Sequence, residues 1–237
     1  MSKLINNQYE MQKLVGHGKK GEVFKGYDHS NQKTVAIKKT KSISRAKSEA
    51  LVMEAYGSHQ YLPEIYDFMV EKGYAYIVME WIDGEPLNKS SIKYDEKNAV
   101  ENTIKILEGL DHLHKNGFLH CDLKRGNIML IESKPNVKII DFGRSKLMRN
   151  NEKHKVNGKK DNRAFKPAEK GYGITDELNK VAVLCGYMLT GKKTKNPKKI
   201  NITNQKLQKI LIQAMGGDKN KRYKTAEEMI TALKPFA

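Results

Sequence analysis

The stretch that decides the reading is His120-Cys121-Asp122-Leu123-Lys124-Arg125-Gly126-Asn127, HCDLKRGN, followed by the apolar run Ile128-Met129-Leu130. Asp122 and Asn127 stand five residues apart with Lys124 between them. Burying apolar surface asks for no such arrangement. A carboxylate, an ammonium and an amide held on one short loop ahead of a β-prone run point to chemistry and not to packing.

Working outward, the next β-like run is Val137 to Ile140, across the turn Ser133-Lys134-Pro135-Asn136, and it leads into Asp141-Phe142-Gly143. Upstream, Asp95 to Asn116 repeats apolar residues at helical spacing through Ala99, Val100, Thr103, Ile104, Leu107, Leu110 and Leu113, and Gly117 supplies a stop. The first ninety residues read differently. Tyr9 to Val15, Glu22 to Tyr27 and Thr34 to Lys39 are short β-prone runs. Ser44 to Tyr56 has helical spacing, with Ala46, Ala50, Val52, Met53 and Tyr56 available for burial. Ile65 to Val70 and Tyr74 to Met79, joined by Glu71-Lys72-Gly73, read as a hairpin. Residues 142 to 170 are polar and basic and predict a long functional loop, and Lys180 to Leu189, Gln205 to Met215 and Ala226 to Leu233 predict helices. A β-rich first third before a helical remainder predicts an α+β chain of two lobes.

Composition bounds the function. With 38% hydrophobic and 30% charged residues the chain is globular in character, not disordered. Cys121 and Cys185 lack metal-ligand spacing and read as reduced thiols. Val181 to Leu189 is the longest apolar run, interrupted by Gly186 and too short to cross a bilayer. The opening MSKLINNQYE holds no apolar segment of signal-peptide length, so a cytoplasmic location is expected. The net charge of +17 attracts phosphate-bearing partners. Seven lysines and no acid lie between Lys192 and Lys209, and Arg144 to Lys170 is also basic around Lys159-Lys160 and Arg163. Such runs suit nonspecific, salt-sensitive contact with nucleic acid, since no aromatic interleaving supports base reading.

Two further motifs precede the central loop. Gly16-His17-Gly18-Lys19-Lys20-Gly21-Glu22-Val23 fits G-x-G-x-x-G-x-V and joins strand to strand, which argues against a dinucleotide fold, where such a loop opens a helix. Val35-Ala36-Ile37-Lys38 ends a β-run on a lysine, and Glu49 on the following helix is placed to pair with it. Taken with HCDLKRGN and Asp141-Phe142-Gly143, these motifs resemble the eukaryotic-type (Hanks) protein kinase family, of a small bacterial or phage kind, from about Gly16 to Arg222.

The resemblance implies a kinase-like two-lobe fold: an antiparallel β-sheet N-lobe with one helix to about residue 79, a hinge at 80–84, and a mainly helical C-lobe, together one catalytic domain over 1–237. It implies ATP and magnesium, and phosphate transfer to Ser or Thr of a protein substrate, Lys124 favouring that group over the tyrosine group. Asp122 then orients the acceptor hydroxyl and takes its proton, Lys124 steadies the γ-phosphate, and Asn127 and Asp141 are the magnesium ligands. Lys38, paired with Glu49, holds the α- and β-phosphates beneath Gly16, Gly18 and Gly21, with Val23 and Ala36 nearby. Met79 gates the adenine pocket, and Glu80 and Ile82 offer it backbone groups. His120 is expected to pack against Phe142. Glu169 matches a structural ion-pair partner of Arg222, and Asp176 or Glu177 the acid that opens the next helix, the register being open.

Departures qualify this. Cys121 replaces the arginine that usually receives an activation-loop phosphate, and Ser145 is the one hydroxyl residue between Arg144 and Lys166. Activation without loop phosphorylation is therefore expected. Asn162, Phe165 and Pro167-Ala168 alter the substrate-docking segment, where Arg163 and Lys166 suit an acidic or phosphate-bearing substrate. A non-catalytic pseudokinase or scaffold, and a kinase of a non-protein substrate, are the alternatives. The retained Lys38, Asp122, Asn127 and Asp141 speak against the first.

Overall fold

The alternation of Val35 and Ile37 with Ala36 and Lys38 sets the architecture of the first half, because each set must leave the strand on its own face. The computed structural model describes residues 4–18, 21–90, 94–131, 136–149, 165–192, 196, 200 and 202–237. Within them β1 (Tyr9–Gly18), β2 (Gly21–Asp28), β3 (Lys33–Thr40), β4 (Ile65–Glu71) and β5 (Tyr74–Glu80) form an antiparallel sheet in the order β1-β2-β3-β5-β4. Val35 and Ile37 are buried on one face with Tyr9, Tyr76 and Val78. Helix α1 (Ile43–Tyr56) covers the opposite face, burying Ala46, Ala50, Val52, Met53 and Tyr56 as the spacing predicts. The β4–β5 turn is tight, Glu71 pairing Tyr74, with Lys72 at φ 52° and Gly73 at φ 78°; this is the left-handed pair a two-residue hairpin turn needs.

The second half is built on α2 (Glu96–Lys115), capped by Asp95, whose carboxylate accepts the Asn98 amide at 2.7 Å. Gly117, at φ 81°, lets the chain leave the helix end. Strand β6 (Gly84–Pro86) pairs β8 (Ile128–Ile131), which pairs β9 (Asn136–Ile139). Gly84 must be glycine, since a Cβ there would meet the Leu130 carbonyl oxygen. Strand β7 (Phe118–Leu119) pairs β10 (Lys146–Leu147). Helices α3 (Ile174–Thr190), α4 (Gln205–Met215) and α5 (Ala226–Leu233) complete the fold. Their apolar faces join α2, β8 and β9 in one core that reaches up to Tyr56 and Leu62. That shared core fixes α1 against the loops of the second half.

The structure differs from the sequence reading at a few boundaries. Helix α3 starts at Ile174, six residues before Lys180, because its first turn carries the polar Thr175, Asp176 and Glu177, which hide the periodicity. The short strands β6, β7 and β10 carry no period of their own. Ile106, omitted from the expected face of α2, is fully buried, while Ile104 is only partly so. Several expectations fall outside the described residues: Lys19-Lys20, the turn at 133–135, the loop residues 150–164 with Asn162 and Arg163, and Lys193, Lys195, Lys198 and Lys199. No helix among the described residues is long and apolar enough to cross a membrane.

Candidate active site

Cross-strand register brings one set of side chains to the α1 face of the sheet. Val23 pairs with Lys38, Lys38 with Ile77, and Ala36 with Met79, so Val23, Ala36, Lys38 and Met79 project from the same face. Gly16 lies opposite Val23, and Gly18 opposite Gly21, closing the β1–β2 hairpin beside them. Gly21 has φ 124°, and a Cβ there would run into the Lys39 carbonyl oxygen, so only glycine lets β2 start so close to β3.

Lys38 is the centre of the upper half. Its ammonium donates to both Glu49 carboxylate oxygens at 2.7 Å and to Asp141 Oδ1 at 3.2 Å. Burial works against the charge, yet Glu49 and then Asp141 outweigh it and hold Lys38 above its ordinary range. Two carboxylates facing one buried ammonium leave it charged and fixed in position, ready for an anionic ligand. Glu49 can reach it because α1 presents Glu49 on its buried face beside Ala46, Ala50 and Met53.

The lower half is the loop after β7. Asn127 donates its amide to the Asp122 carbonyl at 2.8 Å and to the Asp122 carboxylate at 3.3 Å. Lys124 donates to Asp122 Oδ2 at 2.9 Å. His120 is fully buried: its Nδ1 accepts the Asp122 amide at 3.2 Å, so its Nε2 carries the proton and donates to the Ile140 carbonyl at 3.1 Å. Burial holds His120 below its ordinary pKa, which keeps this neutral tautomer. The ring also packs edge-on against Phe142 at 5.2 Å, and Phe142 in turn meets Tyr56 at the end of α1 at 5.1 Å. Phe142 thus locks Asp141 to α1 from below, while Lys38 locks it from above.

Two non-glycine residues at this site have left-handed backbone: Cys121 at φ 61° and Asp141 at φ 71°. Such conformations cost about 1–3 kcal/mol each and persist where neighbours over-determine them. The Cys121 amide donates to Glu177 Oε1 at 2.7 Å. Glu177 is fully buried in the first turn of α3, and its other oxygen takes His114 Nε2 at 2.8 Å. Burial, together with the charge of Glu177, pushes the Cys121 thiol up to about 12, so it is a protonated side chain and no nucleophile.

Asp141 and Asn127 are the residues here whose chemistry suits a hard cation. Among the described residues no three His, Cys, Asp or Glu side chains converge on a metal site. Magnesium needs no such cage, since one or two protein oxygens suffice when phosphates and water complete its shell. Asp141 supplies a carboxylate, and Asn127, its amide nitrogen committed to Asp122, has its carbonyl oxygen to give.

The chain matches the family model described as protein kinase domain over residues 9–236. It belongs to the protein kinase family. A probable serine/threonine-protein kinase of Clostridium perfringens is 28% identical over 98% of this chain and 39% of its own length. The probable serine/threonine-protein kinase PknB of Lactococcus lactis is 27% identical over 98% of this chain and 42% of its own length. Myosin light chain kinase 3 of Danio rerio is 33% identical over 65% of this chain and 23% of its own length. The chain spans less than half the length of these relatives.

Asp176 and Glu177 both lie in the first turn of α3 and divide the work, Glu177 holding the loop before Asp122 through the Cys121 amide. Asp176 instead accepts the Gly173 amide at 3.1 Å, pairs Lys219 at 2.7 Å and lies 3.5 Å from the Arg222 guanidinium. The expected Glu169–Arg222 pair is corrected by the same geometry. Arg222 is committed to Asp176 and to the Gly216 carbonyl at 2.6 Å, while Glu169 is exposed. The acid on the first turn of α3 lies closer to the Lys219–Arg222 turn, and it takes the arginine.

Met79 and Ile82 are both partly buried, Met79 at the end of β5 and Ile82 in the link to β6. The Glu80 amide is engaged by the Glu64 carbonyl at 2.9 Å, so Glu80 has only its carbonyl to offer a ligand. Its side chain does something the sequence reading missed. Lys138, buried on β9, donates to Glu80 Oε2 at 2.7 Å and to the Leu62 carbonyl at 3.1 Å, tying the end of β5 to the second half. The one signal for it is a lysine inside the apolar run Val137 to Ile140. His114 carries no such signal, because a histidine on the apolar face of a helix reads as core.

Proposed function

We propose that this kinase domain transfers the γ-phosphate of ATP, with magnesium, to Ser or Thr of protein substrates. The observation that carries the reading is the Lys38 ammonium held between Glu49 at 2.7 Å and Asp141 at 3.2 Å. A buried lysine so fixed has little use except to meet an anion. Phosphoryl transfer needs mainly positioning and charge neutralisation, and each residue here has one such task.

In this reading Lys38 receives the α- and β-phosphates beneath the Gly16–Gly21 hairpin, and Val23, Ala36 and Met79 give the adenine an apolar seat near Glu80 and Ile82. Magnesium, when bound, neutralises developing charge on the phosphate oxygens, with Asp141 and Asn127 as its protein ligands. Asp122, held by Asn127 and by the neutral His120, orients the acceptor hydroxyl and accepts its proton. Lys124 steadies the transferred group. What supports activity without activation-loop phosphorylation is that α1, Lys38 and Phe142 are already in contact while position 121 is a cysteine.

The test is radiolabelled ATP with generic protein acceptors, wild type beside Asp122→Ala. Label transferred by wild type and lost in the variant is expected. Equal label in both, or none in either, overturns the proposal.

A further inference from the structure

Arg144 directly follows Asp141-Phe142-Gly143, and the roles above do not use it. Its guanidinium lies 3.8 Å from Asp122 Oδ1, on the oxygen opposite the one that Lys124 holds at 2.9 Å. The Arg144 side chain is 63% exposed, against 12% for Asp122. An ion pair this long and this exposed contributes little to stability and yields easily. Nothing in the packing asks for a cation at this place.

The approach of a substrate gives the cation a purpose. A hydroxyl that hands its proton to Asp122 must come within hydrogen-bond reach of the carboxylate. Lys124 and, at 3.3 Å, Asn127 hold Oδ2, and Arg144 stands beside Oδ1, so a hydroxyl that reaches this carboxylate comes into the neighbourhood of the guanidinium. Entry displaces the guanidinium from Asp122 without removing it from the neighbourhood. An extended peptide advances about 3.3–3.6 Å per residue, so the residues flanking the acceptor fall within reach of a displaced arginine. A guanidinium recovers most by pairing two N–H groups with one carboxylate or phosphate. Lys124, exposed and bound to the same carboxylate, adds to the positive field there, and Cys121 adds no charge to it.

We propose that Arg144 is a specificity-determining residue that selects acceptors whose hydroxyl is flanked by an acidic or phosphorylated residue. The proposal rests on the phosphoryl-transfer reading above and names the substrate class of the same site.

The experiment compares peptides with one serine acceptor and Asp, phosphoserine, Asn or Lys beside it, at saturating magnesium ATP. Wild type, Arg144→Gln and Arg144→Glu are assayed for kcat and KM, with thermal melting to show that each variant folds. Wild type should favour the acidic peptides over the Asn peptide by about tenfold in kcat/KM. That ratio should fall towards one in Arg144→Gln, and Arg144→Glu should invert it in favour of the Lys peptide. An acidic preference equal in wild type and Arg144→Gln overturns the inference, as does a wild type without preference. With ATP varied at fixed peptide, a rise in the KM for ATP in Arg144→Gln with the peptide ratio unchanged also overturns it, by assigning the arginine to the nucleotide. Phosphate transfer to no peptide by wild type defeats the kinase reading itself, which separates the two failures.

Discussion

Glu177, in the first turn of α3, accepts the amide of Cys121 at 2.7 Å, one residue before Asp122. A buried carboxylate thus holds a strained backbone in place from a helix 56 residues further along the chain. The bond defines what kind of loop this is: its conformation is imposed by tertiary contacts, since Cys121 has no local reason to adopt φ 61°.

Acid should therefore loosen the loop through Glu177. Burial raises the carboxyl, but the His114 bond and the Cys121 amide outweigh it and hold the group below its ordinary 4.5. A group with a lowered pKa in the fold stabilises fully above its unfolded value and loses that contribution as pH falls through the folded one. Glu177→Gln keeps the shape but swaps charge-assisted bonds for neutral ones, at a cost of about 1–2 kcal/mol, or several degrees of Tm. Melting curves from pH 7 to 3 should show a gap between wild type and variant that is constant above about 4.5 and closes below it. A gap independent of pH contradicts the assignment.

The Lys38–Glu49 pair makes a separate prediction. Removing one partner of a buried pair leaves the other uncompensated, a loss of about 3–5 kcal/mol, whereas an apolar replacement of both is often close to neutral. Lys38→Met should melt well below wild type, and Lys38→Met with Glu49→Leu should recover most of the difference. Phosphate transfer should stay lost in both, by at least about a hundredfold, because stability returns without the ammonium.

Asp122→Asn should lower kcat by about 10²–10⁴ while leaving the KM for ATP nearly unchanged, the range for loss of a positioned general base. Steady-state kinetics check it. A variant that instead loses ATP affinity places Asp122 on the nucleotide.

Gly143→Ala probes the contact beneath α1. Its new Cβ would stand 2.8 Å from Glu49 Oε2 and 3.4 Å from Asp141 Oδ1. The Glu49 carboxylate must move and give up one of its two contacts with Lys38. Activity should fall about tenfold, equivalent to about 1.4 kcal/mol of transition-state stabilisation, with a much smaller change in Tm. An unchanged rate means that the two-oxygen clamp on Lys38 is dispensable.

Much of this was legible in the sequence, and for definite reasons. Strands such as Thr34 to Lys39 show because their faces differ, and α4 and α5 because turn residues bracket a clean helical period. Motif spacing singled out Lys38, Glu49, Asp122, Asn127 and Asp141, since each has chemistry that packing does not require. What stayed hidden depends on register between distant elements. Asp176 and Glu177 are adjacent acids with no local difference between them; only the rotation of α3 sends one to Cys121 and the other to Arg222. Lys138 reads as an ordinary strand residue until Glu80 is brought 2.7 Å from it. The first turn of α3 was missed because its polar residues serve partners outside the helix.

Calorimetric titration of a non-hydrolysable ATP analogue, with and without magnesium, into wild type and Asp141→Asn tests the convergence of Lys38, Asn127 and Asp141 most directly. The account predicts binding by wild type that strengthens when magnesium is present, and loss of that strengthening in the variant. Nucleotide binding indifferent to magnesium, or no binding by a folded wild type, contradicts it.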